Sequence, residues 1–186
     1  MEDKLQKLLD IEEIKKLKYR YFRGIDTADL DLLQTLFTED AELDYRGGEY
    51  RWQVSGKENI LQQIASAFNS DAVACHQGHH PEIDILNEKK AIGLWYLGDI
   101  FTDTKRKIIT RGSAIYKDIY KKINKSWYIE KSEYDRIWEE YEPLSSEINI
   151  TFSYLSKHGK KLSDSSIDPN SFLDELTKEG NNKIED

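Results

Sequence analysis

Three of the four histidines of this 186-residue chain stand in one stretch, Ala74-Cys75-His76-Gln77-Gly78-His79-His80-Pro81-Glu82-Ile83-Asp84-Ile85. Imidazole titrates closest to neutral pH, so a histidine leading into an alternating apolar segment is the first place to look for proton chemistry. A strand carrying a catalytic base is the expectation. Metal ligation is the competing use of the cluster, but strand alternation puts His76 and His80 on one face and His79 on the other, a poor geometry for three ligands. With a single cysteine and no His-Glu-x-x-His, no metal is expected. A histidine satisfied in the core or exposed at a strand end is the plainer alternative for each of the three.

Other residues join His76 by type and position. Tyr21 belongs to the apolar stripe of a first helix and Asp26 follows Gly24 near its end, where a core tyrosine and a turn aspartate are the competing roles. Asp99 follows Gly93, Trp95 and Leu97 at strand spacing, so burial of that face obliges the carboxylate to find a partner or a raised pKa. An edge position or a bulge at Gly98 would lift that obligation. Arg136 shares its parity with Tyr128, Ser132, Tyr134 and Trp138, and on a buried face it would serve a carboxylate or an oxyanion.

The elements that must position these residues follow from periodicity. Leu5, Leu8, Leu9, Ile14, Leu17, Tyr21 and Ile25 mark an amphipathic helix over about 3–24, in which Asp10 and Glu13 have capping-box spacing and which Gly24 with Ile25-Asp26-Thr27 ends. Asp29 heads a second helix through Leu36 and Phe37, and Ala41 to Tyr45 with Tyr50 to Val54 reads as a hairpin about Gly47-Gly48. A third helix starts at Ser55 or Gly56 and buries Ile60, Leu61, Ile64, Ala65 and Phe68. Four long strands at roughly 72–86, 91–104, 107–123 and 126–139 then form an antiparallel meander. This is an α+β layout, a curled sheet closed on one face by helices around a pocket. Its aromatic strands leave the other face in need of a partner, so a homo-oligomer is expected.

Residues 1–142 read as one domain and 143–186 as an extension, with a short helix near 169–179 and a disordered end. The apolar run Ile148, Ile150, Phe152, Tyr154 and Leu155 should lie across the sheet or a neighbouring subunit. A formal charge of −8 argues against nucleic acid and anionic membranes as partners. The leucines of the amino terminus are interrupted by charges, so neither a signal peptide nor a membrane span is expected, and Cys75 alone forms no intrachain disulfide. Both fit a cytoplasmic protein.

The sequence resembles the SnoaL-like branch of the nuclear-transport-factor-2-like (NTF2-like) superfamily over about residues 9–142, most closely the bile-acid 7-alpha-dehydratases and more distantly scytalone dehydratase. The resemblance is carried by Tyr21-Phe22-Arg23-Gly24-Ile25-Asp26, His76-Gln77-Gly78-His79-His80-Pro81-Glu82-Ile83, Trp95-Tyr96-Leu97-Gly98-Asp99, Trp127-Tyr128-Ile129 and Tyr134-Asp135-Arg136-Ile137 before Glu139-Glu140. It implies an NTF2-like cone and a catalytic set of Tyr21, Asp26, His76, Asp99 and Arg136. It also implies a trimer and a cofactor-independent elimination of water from a small, hydrophobic, hydroxylated substrate. In that reading His76 is the base, oriented by Asp26, Asp99 delivers the proton to the leaving hydroxyl, and Tyr21 donates to a carbonyl oxygen. An isomerase or cyclase, or a ligand-binding protein without catalysis, is the alternative on the same fold. Gly98, the shorter segment after Asp99 and the longer tail depart from the dehydratase pattern where the pocket mouth should be.

Overall fold

The computed structural model describes residues 2–48 and 50–161. In chain order the elements are α1 (Glu2–Thr27), α2 (Leu30–Leu33), β1 (Phe37–Arg46), β2 (Arg51–Ser55), α3 (Lys57–Ala67), β3 (Ala72–Asn87), β4 (Lys90–Asp103), β5 (Ile108–Ile123), β6 (Ser126–Pro143) and α4 (Tyr154–His158). The expected meander is present, with strand bounds close to those read from alternation. All six strands form one sheet in the order β2-β1-β6-β5-β4-β3, antiparallel except where β1 runs parallel to β6. The layout is α+β, with α1 lying along β3 and the core between the helices and the inner sheet face.

Two expected helix boundaries are wrong for a packing reason. The Asp10 and Glu13 spacing does not begin α1, which is continuous from Glu2. Asp10 is instead buried, and its Oδ1 accepts from Lys122 Nζ at 2.5 Å, Trp127 Nε1 at 3.1 Å and Gln6 Nε2 at 3.2 Å. The helix ends at Thr27, the last residue of the expected Gly24-Ile25-Asp26-Thr27 stop, and Gly24 itself has a packing role. It lets α2 pack close, because a Cβ there would sit 2.8 Å from the Leu33 side chain. Asp29 does cap α2, accepting from Leu32 N at 2.9 Å. That helix is shorter than expected, since Leu36 and Phe37 turn into the core at the start of β1.

The outward face of β4 exposes Ile92, Leu94, Tyr96 and Ile100, which locates the surface where a partner was expected. Of the apolar run after Pro143 only Leu155 is buried, while Ile148, Ile150, Phe152 and Tyr154 are exposed. The short α4 that carries Leu155 escaped sequence reading, and its neighbour Lys160 accepts from Ser70 N at 3.1 Å. The helix expected near 169–179 and the chain end lie outside the described residues. Among the described residues no helix is long and apolar enough to cross a membrane.

Burial alone would raise the Asp10 carboxyl, but hydrogen bonds from Lys122, Trp127 and Gln6 outweigh it and hold the group below its ordinary value. A depressed carboxylate stabilises the fold above its unfolded pKa, and the contribution is lost as pH falls through the folded value. Asp10→Asn should cost about 1–3 kcal/mol in chemical denaturation at neutral pH. The difference from the parent protein should shrink below about pH 4, the ordinary range for a carboxyl.

Candidate active site

The site begins where α1 crosses β3. Gly78 permits that contact, since a Cβ on it would lie 2.1 Å from the Phe22 ring. The use of glycine at this position is close approach of the helix. With the two elements this near, Asp26 Oδ2 accepts from the His76 backbone N at 2.9 Å and Asp26 Oδ1 lies 2.6 Å from His76 Nδ1. A carboxylate at Nδ1 fixes the tautomer with the proton on that nitrogen, leaving the Nε2 lone pair to act as a base. His79 and His80 are exposed. The strand is irregular between His79 and Glu82, with His80 at φ 47°, so His80 does not share the inward face with His76 as strict alternation required. Among the described residues no group of three or more His, Cys, Asp or Glu side chains is placed to hold a metal ion.

His76 pairs across the ladder with Asp99 of β4, and Trp95, Leu97 and Asp99 are all buried on one face as their spacing required. The obliged partner is Arg136, whose Nη1 and Nη2 donate to Asp99 Oδ1 and Oδ2, the latter at 2.9 Å. The expected parity of β6 is corrected by two bulges. Between Ile129 and Lys131 the strand gains Glu130, and between Arg136 and Trp138 it gains Ile137. Trp127 and Ile129 therefore face inward before the first bulge, Ser132, Tyr134 and Arg136 after it, and Tyr128 and Trp138 do not share that face. Gly112 makes room for the guanidinium, because a Cβ there would sit 3.1 Å from Arg136 Nη1. A second buried carboxylate, Glu139, places Oε2 3.0 Å from Arg136 Nε.

Tyr21, His76, Asp99 and Arg136 line one cavity of about 280 Å³, with Asp26 holding His76 from behind. Its apolar lining includes Ile25, Trp52, Phe68, Leu97 and Phe101. What sequence reading missed is a group of phenols. Tyr45, Tyr50 and Tyr141 join Tyr21, Tyr116 and Tyr134 in the lining. Tyr45 had a signal in its parity with Ala41 and Leu43, both buried. Tyr50 had the same kind of signal in its parity with Trp52, which lines the cavity, and the buried Val54. Tyr21 and Tyr45 hydroxyls meet at 2.8 Å, Tyr50 bonds to Tyr134, and the Tyr45 and Tyr134 rings stack at 4.4 Å. Burial pushes Tyr21, Tyr45, Tyr50, Tyr116 and Tyr134 above the ordinary phenol value, which keeps them neutral proton donors or acceptors.

The SnoaL-like domain profile matches residues 6–133. The chain belongs to the SnoaL-like domain family. A scytalone dehydratase candidate from Novosphingobium aromaticivorans is similar in structure, with TM-score 0.63 and 21% identity over 75% of this chain and 91% of that one. A hexachlorocyclohexane dehydrochlorinase, LinA-type3 from Novosphingobium barchaimii, gives 0.64 and 18% over 77% and 95%. A protein of unknown function with a cystatin-like fold from Nostoc punctiforme gives 0.54 and 25% over 69% and 91%. The expected NTF2-like cone is thus the fold of this SnoaL-like chain.

In this SnoaL-like site two substitutions test the positioning. Gly78→Ala should push α1 from β3, cost about 1–3 kcal/mol on the scale of an overpacked contact, and part Asp26 from His76. A lowered denaturation midpoint together with loss of the hydrogen-bonded His76 Nδ1 proton resonance by NMR is the expected result. Arg136→Met leaves Asp99 and Glu139 buried without their cation and should cost about 3–5 kcal/mol by denaturant titration.

Proposed function

We propose that this SnoaL-like protein is a cofactor-independent hydro-lyase that eliminates water from a hydroxylated steroid-like or polycyclic ketone, as the resemblance to the bile-acid 7-alpha-dehydratases implies. The observation that carries the reading is the Asp26 and His76 dyad on the wall of an aromatic cavity. A hydroxylated carbonyl compound in that cavity would lose its C–H proton to His76 Nε2, and the electron pair would pass into an enolate. Imidazolium formed next to Asp26 is stabilised by the carboxylate. Collapse of the enolate then breaks the C–O bond. The departing hydroxide takes the proton back from His76, so water leaves and the base is restored.

The acid role first expected for Asp99 does not suit its surroundings. Both of its oxygens accept from Arg136, an arrangement that calls for the carboxylate form. Proton return through His76 replaces it, and the Asp99 and Arg136 pair becomes a scaffold for the phenols that hold the substrate oxygen. None of these steps calls for a metal or an organic cofactor. The same reading carries a small hydrophobic hydroxylated partner and a homo-oligomer, the trimer of the resemblance, that covers the outward sheet face.

The commitment of both Asp99 oxygens to Arg136 favours one second reading, an isomerase in which His76 returns the proton to another carbon of the same substrate. A panel of hydroxy-keto steroids and aromatic polyketides, followed by mass spectrometry, separates the two by loss of water or its retention. His76→Ala should lower the elimination rate by about 10²–10⁴-fold with an unchanged circular dichroism spectrum. A fully active variant would refute the assignment.

A further inference from the structure

A fully buried lysine is costly unless something requires it, and Lys18 of α1 has no exposed surface. Its Nζ lies 2.7 Å from Asp118 Oδ2 of β5 and 3.7 Å from the centroid of the Tyr116 ring. Neither residue belongs to the proposed catalytic set. Asp118 nevertheless reaches the cavity through hydroxyls. Ser132 Oγ donates to Asp118 Oδ1 at 2.6 Å, Tyr45 OH donates to Ser132 Oγ at 3.2 Å, and Tyr45 meets Tyr21 at 2.8 Å. On its other oxygen Asp118 takes the proton of Tyr120 at 2.6 Å, and Tyr120 accepts from Trp95 Nε1 at 2.9 Å.

Each hydroxyl has one proton to give, so an acceptor at the root of the chain sets the direction of every bond above it. The carboxylate of Asp118 can only accept. Ser132 spends its proton there and Tyr45 spends its own on Ser132, so Tyr21 must be the donor to Tyr45. These phenols turn their protons away from the cavity and offer it lone pairs.

The second chain runs the other way because its root is a donor. Arg136 Nε donates to Tyr50 OH at 3.3 Å, and Tyr50 bonds to Tyr134. The two phenols hold two protons and share one bond, and arginine has none to accept. Whichever of them donates to the other, one proton is left for the cavity.

We infer that Tyr21 with Tyr45 forms a hydrogen-bond-accepting wall of the cavity, rooted in Asp118 and Lys18, and that Tyr50 with Tyr134 forms the donating wall, rooted in Arg136. This rests on the proposed site and deepens it. The carbonyl oxygen, and the enolate made from it, sits at Tyr50 and Tyr134, not at Tyr21 as the resemblance implied. A separate substrate hydroxyl donates to Tyr21, so the substrate is a cyclic ketone with a hydroxyl beyond the one that leaves. Ser132, Asp118 and Lys18 act as positioning residues.

The polarity is read by binding, without turnover, through quenching of protein fluorescence, with Trp52 in the lining as reporter. The probes are 1-tetralone, which can only accept, and 2-naphthol, which can donate. The double variant Tyr50→Phe/Tyr134→Phe should weaken 1-tetralone about three- to tenfold, the worth of one hydrogen bond, and leave 2-naphthol little changed. Ser132→Ala frees the Tyr45 proton for Tyr21 and so sends the Tyr21 proton into the cavity. It should tighten 1-tetralone and weaken 2-naphthol by about the same factor, and Tyr45→Phe, which cuts the chain one bond nearer, should act in the same sense. Unchanged affinities in Ser132→Ala and Tyr45→Phe, or equal loss of both probes in the double variant, would overturn the inference. Shifts as expected in a protein whose His76→Ala variant still eliminates water would remove the dehydratase reading alone.

Discussion

The structure depends on one carboxylate. Asp26 accepts from the backbone N–H of His76 and also holds its Nδ1, so a residue near the end of α1 takes up both a strand amide and a side chain of β3. A single attachment would orient the ring or anchor the strand. The double one does both, because ring and backbone of the same residue are held by the same rigid group. It requires the helix to lie on the strand, which Gly78 allows by presenting no side chain to Phe22. Once α1 is set there, Tyr21 and Lys18, about one and two turns earlier, are carried inward over the sheet.

The charges beneath the cavity follow from that placement. Lys18 and Asp118 are both without exposed surface, and the Arg136 guanidinium meets Asp99 and Glu139 with little more exposure. Such pairs are weak sources of stability, since desolvation offsets most of the attraction. Their consequence lies in direction. A buried carboxylate can only accept and a guanidinium can only donate, and the phenols bonded to them inherit that sense. Neutral hydroxyls at the cavity surface thus carry the polarity of Asp118 behind them and of Arg136 beside them.

The bulges in β6 serve the same arrangement. A strand of 18 residues that kept strict alternation from Trp127 would turn Ser132, Tyr134 and Arg136 outward. The extra residue at Glu130 reverses the faces, and the one at Ile137 reverses them again after Arg136 has been placed. Sheet curvature and side-chain delivery are therefore one feature.

Local pattern by itself determined the meander, the buried face of β4 and the need of Asp99 for a partner, because period and burial are properties of neighbouring residues. It also singled out His76 by its chemistry, and the resemblance placed Tyr21, Asp26, Asp99 and Arg136 beside it. It could not determine that Asp10 is a buried acceptor in place of a helix cap, since Lys122 and Trp127 are more than a hundred residues away. Nor could it show that His80 leaves the face of His76, that Arg136 escapes the parity of Tyr128, or that Asp118 sets the proton of Tyr21. Those outcomes belong to the tertiary structure alone. A single inserted residue inverts a face, and the direction of a hydrogen bond is set by the group at the far end of its chain, neither of which leaves a local trace in sequence.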